Sequence, residues 1–260
     1  MTNPNELMES HAQFDAAWSL YASCCPGGEV LHSDGLCIAN ARHPWSLMNA
    51  ALLTAPLSSP ADLAARAGAA VSYFRQENRP WFFTASQQYL GDGAEETLRG
   101  VGLGKSGSVV GMVAEDILAP GRPLPDVETR RIEDEAGRLA LADLNASAYG
   151  VPPDWVRMVS TSETLWEAPL YGYNAWIDGQ PVATTLVLPQ NGTLYVAWVA
   201  TATDHRRRGL ADLVMRRALA HATEETGITR TVLHATADGY PVYLKMGYRV
   251  VDVFDLYGPV

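Results

Sequence analysis

The residues best suited to chemistry are Arg206, Arg207, Arg208, Gly209, Leu210 and Ala211. A strand-forming run ends just before them at Thr201, and an amphipathic helical run starts at Gly209. The first N–H groups of a helix have no partner within it, and together with the helix dipole they attract an anion. A basic turn between a strand and a helix therefore suits a pyrophosphate. Gly209 lets the backbone approach a phosphate with no Cβ in the way, and Ala211 is small enough not to block it. An arginine run alone is usually a solvated face, so the flanking strand and helix carry this reading. The same spacing recurs at Arg99, Gly102 and Gly104 with the context inverted: a short helix precedes and a strand follows. We read 99–104 as a glycine-rich connection that ends a helix.

Groups able to take a proton are Glu163, Glu167 and His234, and the sequence does not choose among them. Each also has a plain structural reading, as exposed carboxylates and a hydrogen-bonded strand histidine. Trp166, Trp176 and Trp198 read as core residues, with an acceptor pocket as the alternative.

These residues are positioned by a well-punctuated second half. Residues 128–132 form a short strand, and Asp134 caps a helix to about Ala148 with Ala136, Leu139, Ala140, Leu144 and Ala148 on one face. Strands at 171–177, 181–188 and 193–201 are joined by Asp178-Gly179 and Asn191-Gly192, dipeptides that tolerate the positive φ of tight hairpins. The third strand is apolar on both faces: Leu194, Val196, Trp198 and Ala200 on one, Tyr195, Ala197 and Val199 on the other. That places it inside a sheet. The helix from Gly209 to about Thr226 buries Leu210, Leu213, Val214, Ala218 and Ala222, and Gly227 stops it. A strand at 231–236, a short helix at 241–246 and a strand at 248–256 complete a mixed α/β sheet.

Ala119-Pro120-Gly121-Arg122-Pro123-Leu124-Pro125 disfavours helix and central strand alike and reads as a linker, 119–126, between residues 1–118 and 127–260. In the first half, Ser59 caps a helix that opens with Pro60 and runs to about Gln76. A strand at 81–84, a short helix at 94–98 and a strand at 108–114 follow.

The 260 residues suffice for one or two domains at roughly 150 residues each. With 47% hydrophobic and 18% charged residues the chain is globular. A net charge of −10 opposes broad contact with a phosphate backbone, so no nucleic acid is expected as a partner. Cys24, Cys25 and Cys37 do not resemble a disulfide framework, and no Cys/His spacing matches a zinc site. The polar start, residues 1–10, lacks a signal-peptide core, and no apolar run reaches the ~20 residues that span a bilayer. The expectation is a cytoplasmic protein with no metal and no membrane association.

The Arg-x-x-Gly-x-Ala pattern of Arg206, Gly209 and Ala211 resembles the acyl-CoA signature of the GNAT (GCN5-related) N-acetyltransferase superfamily. Downstream, Val242, Tyr243, Leu244, Lys245, Met246, Gly247 and Tyr248 resemble its Leu-Tyr-x-Lys-x-Gly-Phe segment. The capped helix, the Arg79-Pro80-Trp81-Phe82 strand start and Val110-Gly111-Met112 are similar to the degenerate first half of tandem members. The resemblance implies an acyl-CoA N-acyltransferase fold, a mixed central sheet flanked by helices, in two tandem halves. It implies acetyl transfer from acetyl-CoA to a primary amine by direct attack in a ternary complex. Backbone groups of Val199, Ala200 and Thr201 would hold the pantetheine arm, and those of Arg207, Arg208, Gly209, Leu210, Ala211 and Asp212, with Arg206, the pyrophosphate. Tyr243 would protonate the leaving thiolate. Thr236 stands where relatives carry a CoA-contacting Asn, a departure from the pattern. The acceptor is a small-molecule, peptide or protein amine, and the protein a monomer or homodimer. A CoA-binding sensor without turnover and a nucleotide- or phosphate-binding protein are the alternatives; the missing Gly-Lys-Ser/Thr disfavours a P-loop.

Overall fold

The computed structural model describes residues 4–260; Met1–Asn3, the beginning of the polar segment 1–10, lie outside the described residues. The first elements are α1 (Pro4–Ser23), β1 (Glu29–Ser33), β2 (Leu36–Asn40), β3 (Asn49–Leu53), α2 (Pro60–Glu77), β4 (Phe82–Ser86), α3 (Ala94–Gly100) and β5 (Leu103–Ala114). After an irregular stretch come β6 (Glu128–Arg131), α4 (Glu135–Tyr149), α5 (Pro153–Ser160), α6 (Glu163–Glu167), β7 (Tyr171–Ile177), β8 (Gln180–Gln190) and β9 (Thr193–Thr201). The chain ends with α7 (Leu210–Thr226), β10 (Thr231–Ala235), α8 (Tyr240–Lys245) and β11 (Arg249–Pro259). The mixed α/β expectation holds.

The chain divides into two compact units, Met1–Gly111 with Val250–Val260, and Met112–Arg249. In the first, the strand order is β1-β2-β3-β4-β11-β5. The β3/β4 pair is parallel, and β11 lies antiparallel to β4 with Phe254 opposite Ser86 and Tyr257 opposite Phe83. The final strand thus groups with the first unit, whereas the sequence placed it within 127–260. The pairing is long-range and leaves no local mark.

Ser59 caps α2 as expected, its side chain accepting from the Asp62 N–H. Leu63, Ala67, Ala70 and Phe74 form the buried face of α2, over a core of Leu53, Phe83, Leu98, Leu103 and Tyr257. Burial of each large side chain contributes about 1.5–3 kcal/mol. The helix α1 and strands β1, β2 and β3 carry no cue strong enough to mark them in advance. Strand β5 also begins at Leu103, earlier than the expected Ser108.

In the second unit the order is β10-β9-β8-β7-β6, antiparallel throughout except for the β9/β10 pair. Both hairpins close where expected, with Asp178 at φ 50° and Asn191 at φ 48° before their glycines. Asp134 caps α4 by accepting from the Gly137 N–H at 2.8 Å. The buried face of α4 differs from the expected one. Gly137, Ala140, Leu141, Leu144 and Asn145 are buried, while Ala136 and Ala148 are exposed. Small apolar residues recur all round this helix, so periodicity did not single out its inner face. The α7 stripe is as expected, with Leu210, Leu213, Val214, Ala218 and Ala222 buried and Gly227 in the left-handed conformation at the end.

Candidate functional site

The site is built around β9. Its parallel pairing with β10 covers only Thr231 with Leu194, Val232 with Tyr195 and Leu233 with Val196. Beyond Val196 the two strands part. On its other side β9 stays with β8, but the register shifts: Leu186 lies opposite Ala197, and Thr184 opposite Ala200. The extra residue is a β-bulge, and Trp198 within it has φ 55°. A non-glycine residue there is strained and kinks the strand. The two-residue alternation expected for this strand therefore fails after Ala197, and Ala197, Trp198 and Val199 are half-buried rather than core. From α4, the buried Asn145 amide donates to the Trp198 carbonyl at 3.2 Å and to Leu141 O at 3.0 Å. Neither the bulge nor the Asn145 tie was legible in the sequence.

After Thr201 a 3-10 turn, Thr203–His205, leads into residues 206–211. Arg207 has φ 62° and Gly209 φ 87°, and Gly209 precedes α7 with no side-chain cap. The opening N–H groups of α7 thus have no side-chain cap. Arg206, Arg207 and Arg208 are exposed, Leu210 is buried, and Ala211 is half-buried. Arg206 reaches the Thr201 carbonyl at 3.5 Å and Asp238 at 3.6 Å. The Asp212 carboxylate accepts from Arg216 Nε at 2.7 Å. Thr236 lies just past β10, which ends at Ala235; its carbonyl accepts from Gly239 N–H and Tyr240 N–H at the start of α8.

Tyr243 lies on α8, 8% exposed, with its ring 5.9 Å from that of Tyr248. Burial, and after it the neighbouring Tyr149 and Tyr248, raises its phenol well above the ordinary range, so it keeps its proton. Tyr248 is likewise raised by burial, and its hydroxyl is 2.9 Å from Thr231 Oγ1.

The carboxylate candidates lie on α6 and the histidine on β10. Glu163 and Glu167 are exposed at the ends of α6. His234 stands one residue past the last β9/β10 pair, its Nδ1 3.0 Å from the Tyr195 hydroxyl. The three tryptophans are half-buried, not core: Arg138 stacks on Trp166 at 4.8 Å and Arg130 on Trp176 at 4.5 Å. In 99–104, α3 ends at Gly100 and β5 starts at Leu103, so no helix N-terminus faces this turn.

Among the described residues, Asp15, His32 and Cys37 place potential metal-ligand atoms within 4.8 Å of one another. His32 and Cys37 are opposite each other on β1 and β2, a relation invisible to sequence spacing. His32 Nε2 is 3.3 Å from Asp15, an ordinary ion-pair distance. The Cys37 thiol is fully buried and pushed up first by that burial, then by Asp15. A thiol held protonated is a poor ligand.

Residues 138–248 match the model of the acetyltransferase (GNAT) family. No curated protein matches the chain in sequence. Its fold is similar to that of a GCN5-related N-acetyltransferase from Kribbella flavida, at TM-score 0.70 and 20% identity, covering 96% of this chain and 95% of that one. It is also similar to a tandem GNAT protein from the clavulanic acid biosynthesis pathway, at TM-score 0.61 and 16% identity, covering 96% and 94%. A GCN5-related N-acetyltransferase from Sphaerobacter thermophilus is similar at TM-score 0.60 and 13% identity, covering 86% and 76%. No helix among the described residues is long and apolar enough to cross a membrane. The chain has the GNAT fold, and its residues 138–248 belong to the acetyltransferase (GNAT) family, a family of acyltransferases.

Proposed function

We propose that this chain moves an acetyl group from acetyl-CoA to a primary amine by direct attack in a ternary complex. The observation that carries the proposal is the parting of β9 from β10 beyond Val196, beside an uncapped α7 N-terminus. The parted edge leaves backbone groups of Val199, Ala200 and Thr201 for the amides of a pantetheine arm. The pyrophosphate would lie on the N–H groups of Arg207, Arg208, Gly209, Leu210, Ala211 and Asp212, with Arg206 beside it. Thr236 would flank the arm from the β10 side.

An N–H of the bulged segment, aimed at the thioester carbonyl, would act as an oxyanion donor worth about 3 kcal/mol of transition-state stabilisation. The amine nitrogen forms a bond to the carbonyl carbon, and the carbon–sulfur bond breaks. Tyr243, which holds its proton, delivers it to the departing thiolate. The proton lost by the amine passes to a base or to solvent. The acceptor is an amine of a small molecule, peptide or protein.

Thiol release from acetyl-CoA in the presence of an amine panel tests this reading. Turnover with at least one amine, and thermal stabilisation by acetyl-CoA and desulfo-CoA but not by ATP, is the expected result. Stabilisation by both CoA compounds with no thiol release from any amine would favour a sensor over an enzyme.

A further inference from the structure

The irregular segment 115–127 joins β5 to β6; within the second unit Glu115 pairs with Arg230, and the segment is held at two further places. At the first, the Leu118 N–H donates to the Met246 carbonyl at 2.8 Å, and the Leu118 carbonyl accepts from Arg216 Nη1 at 2.6 Å. At the second, Arg122 Nη2 donates to the Arg207 carbonyl at 3.3 Å. The same nitrogen is 3.0 Å from where a Cβ on Gly209 would stand, and Pro125 Cδ is 3.5 Å from that point. The Arg122 guanidinium therefore lies over Gly209, at the mouth of the turn that opens α7.

A cation is poorly placed there by itself. The positive end of a helix dipole lies below it, and three arginines adjoin it. Arg206 has Asp238, and Asp212 is engaged by Arg216. Among the described residues, Arg122, Arg207 and Arg208 have no carboxylate partner. Like charge gathered without counter-charge, in a chain of net charge −10, is accounted for by an anion that binds among them.

We propose that Arg122 is a ligand of the cofactor's pyrophosphate, closing the site from the side opposite the turn's backbone N–H groups. This rests on the reading of 206–211 as a CoA site. The planar guanidinium suits two phosphate oxygens at once, which an ammonium does not. The Leu118 hydrogen bonds hold the segment so that Arg122 is presented without a large ordering cost. The segment that reads as a linker is then also part of the cofactor site.

Calorimetric binding of CoA, dephospho-CoA and pantetheine to wild type, Arg122→Gln and Arg122→Lys tests the assignment. Dephospho-CoA keeps the pyrophosphate and lacks the 3′-phosphate; pantetheine lacks both. In Arg122→Gln, Kd should rise by about tenfold or more for CoA and dephospho-CoA and stay unchanged for pantetheine. Arg122→Lys should fall between, and the salt dependence of CoA binding should become shallower in Arg122→Gln. An unchanged Kd for CoA, an equal loss for all three ligands, or a loss confined to CoA would each overturn the proposal while leaving the cofactor reading intact. Wild-type protein that binds neither CoA nor dephospho-CoA would overturn the cofactor reading itself.

Discussion

Tyr243 packs directly on Gly239: a Cβ on Gly239 would stand 2.8 Å from Tyr243 Cε2 and 3.1 Å from its hydroxyl oxygen. Glycine at the start of α8 thus makes room for the phenol one turn later. Gly239→Ala should displace the ring and lower kcat by about tenfold, with KM for acetyl-CoA within about twofold of wild type. Tyr243→Phe, which removes the proton without moving the ring, should lower kcat by about a hundredfold. Steady-state thiol release measures both. An unchanged kcat in Tyr243→Phe would remove Tyr243 from the mechanism and leave the fold assignment untouched.

The raised phenol has a consequence for pH. Burial holds Tyr243 protonated well past neutrality, so its own ionisation should not limit turnover in the ordinary alkaline range. The kcat profile should show no descending limb below about pH 9 that disappears in Tyr243→Phe. Such a limb would mean that the phenol titrates in the working enzyme and is solvated there.

Asn145 ties α4 to the bulge. Its side chain is fully buried and donates to the carbonyls of Leu141 and Trp198. Asn145→Ala would withdraw that donor from Trp198 O and leave a small void, at a cost of about 2 kcal/mol. A lower midpoint in urea with an unchanged m-value, together with weaker acetyl-CoA binding, is the expected pair of results. Loss of stability alone would confine Asn145 to a structural role.

Gly209 combines a φ of 87° with the nearby Arg122 guanidinium. Gly209→Ala should strain the backbone by about 1 kcal/mol and push Arg122 aside. The expected outcome is a Kd for CoA about tenfold higher, measured by calorimetry, with the melting temperature lowered by only a few degrees.

The thiols report on the first unit. Burial pushes Cys25 from 9.0 up to about 11, and Cys37 is raised further. Native protein at pH 8 should resist alkylation at both positions, whereas denatured protein should react readily at all three cysteines. The linkage has a definite sign. Below pH 9 a Cys25 thiol is protonated whether the chain is folded or not, and it costs nothing. Between pH 9 and about pH 11 only the unfolded form ionises, so stability should fall across that window. Cys25→Ala should make the fall shallower in chemical denaturation.

The sequence by itself determined what depends on a few neighbouring residues. The Asp178-Gly179 and Asn191-Gly192 turns, the Ser59 and Asp134 caps, the α7 stripe and the Gly227 stop all lie where the residues put them. So does the 206–211 turn, because a strand, an arginine-rich corner and an amphipathic helix are adjacent in the chain. Each is set by backbone sterics or by hydrogen bonds spanning three or four residues.

Tertiary structure decided the rest. Trp198 takes a positive φ because β8 and α4 hold the bulge in place, against the conformational preference of its own side chain. Tyr257 pairs with Phe83, and Arg122 comes to rest over Gly209, across separations that local propensity does not encode. Asp15, His32 and Cys37 meet only because α1 and the β1/β2 hairpin pack together. Long-range pairing and packing are chosen by the whole chain at once, since the entropy of closing each loop is repaid by contacts from many elements together.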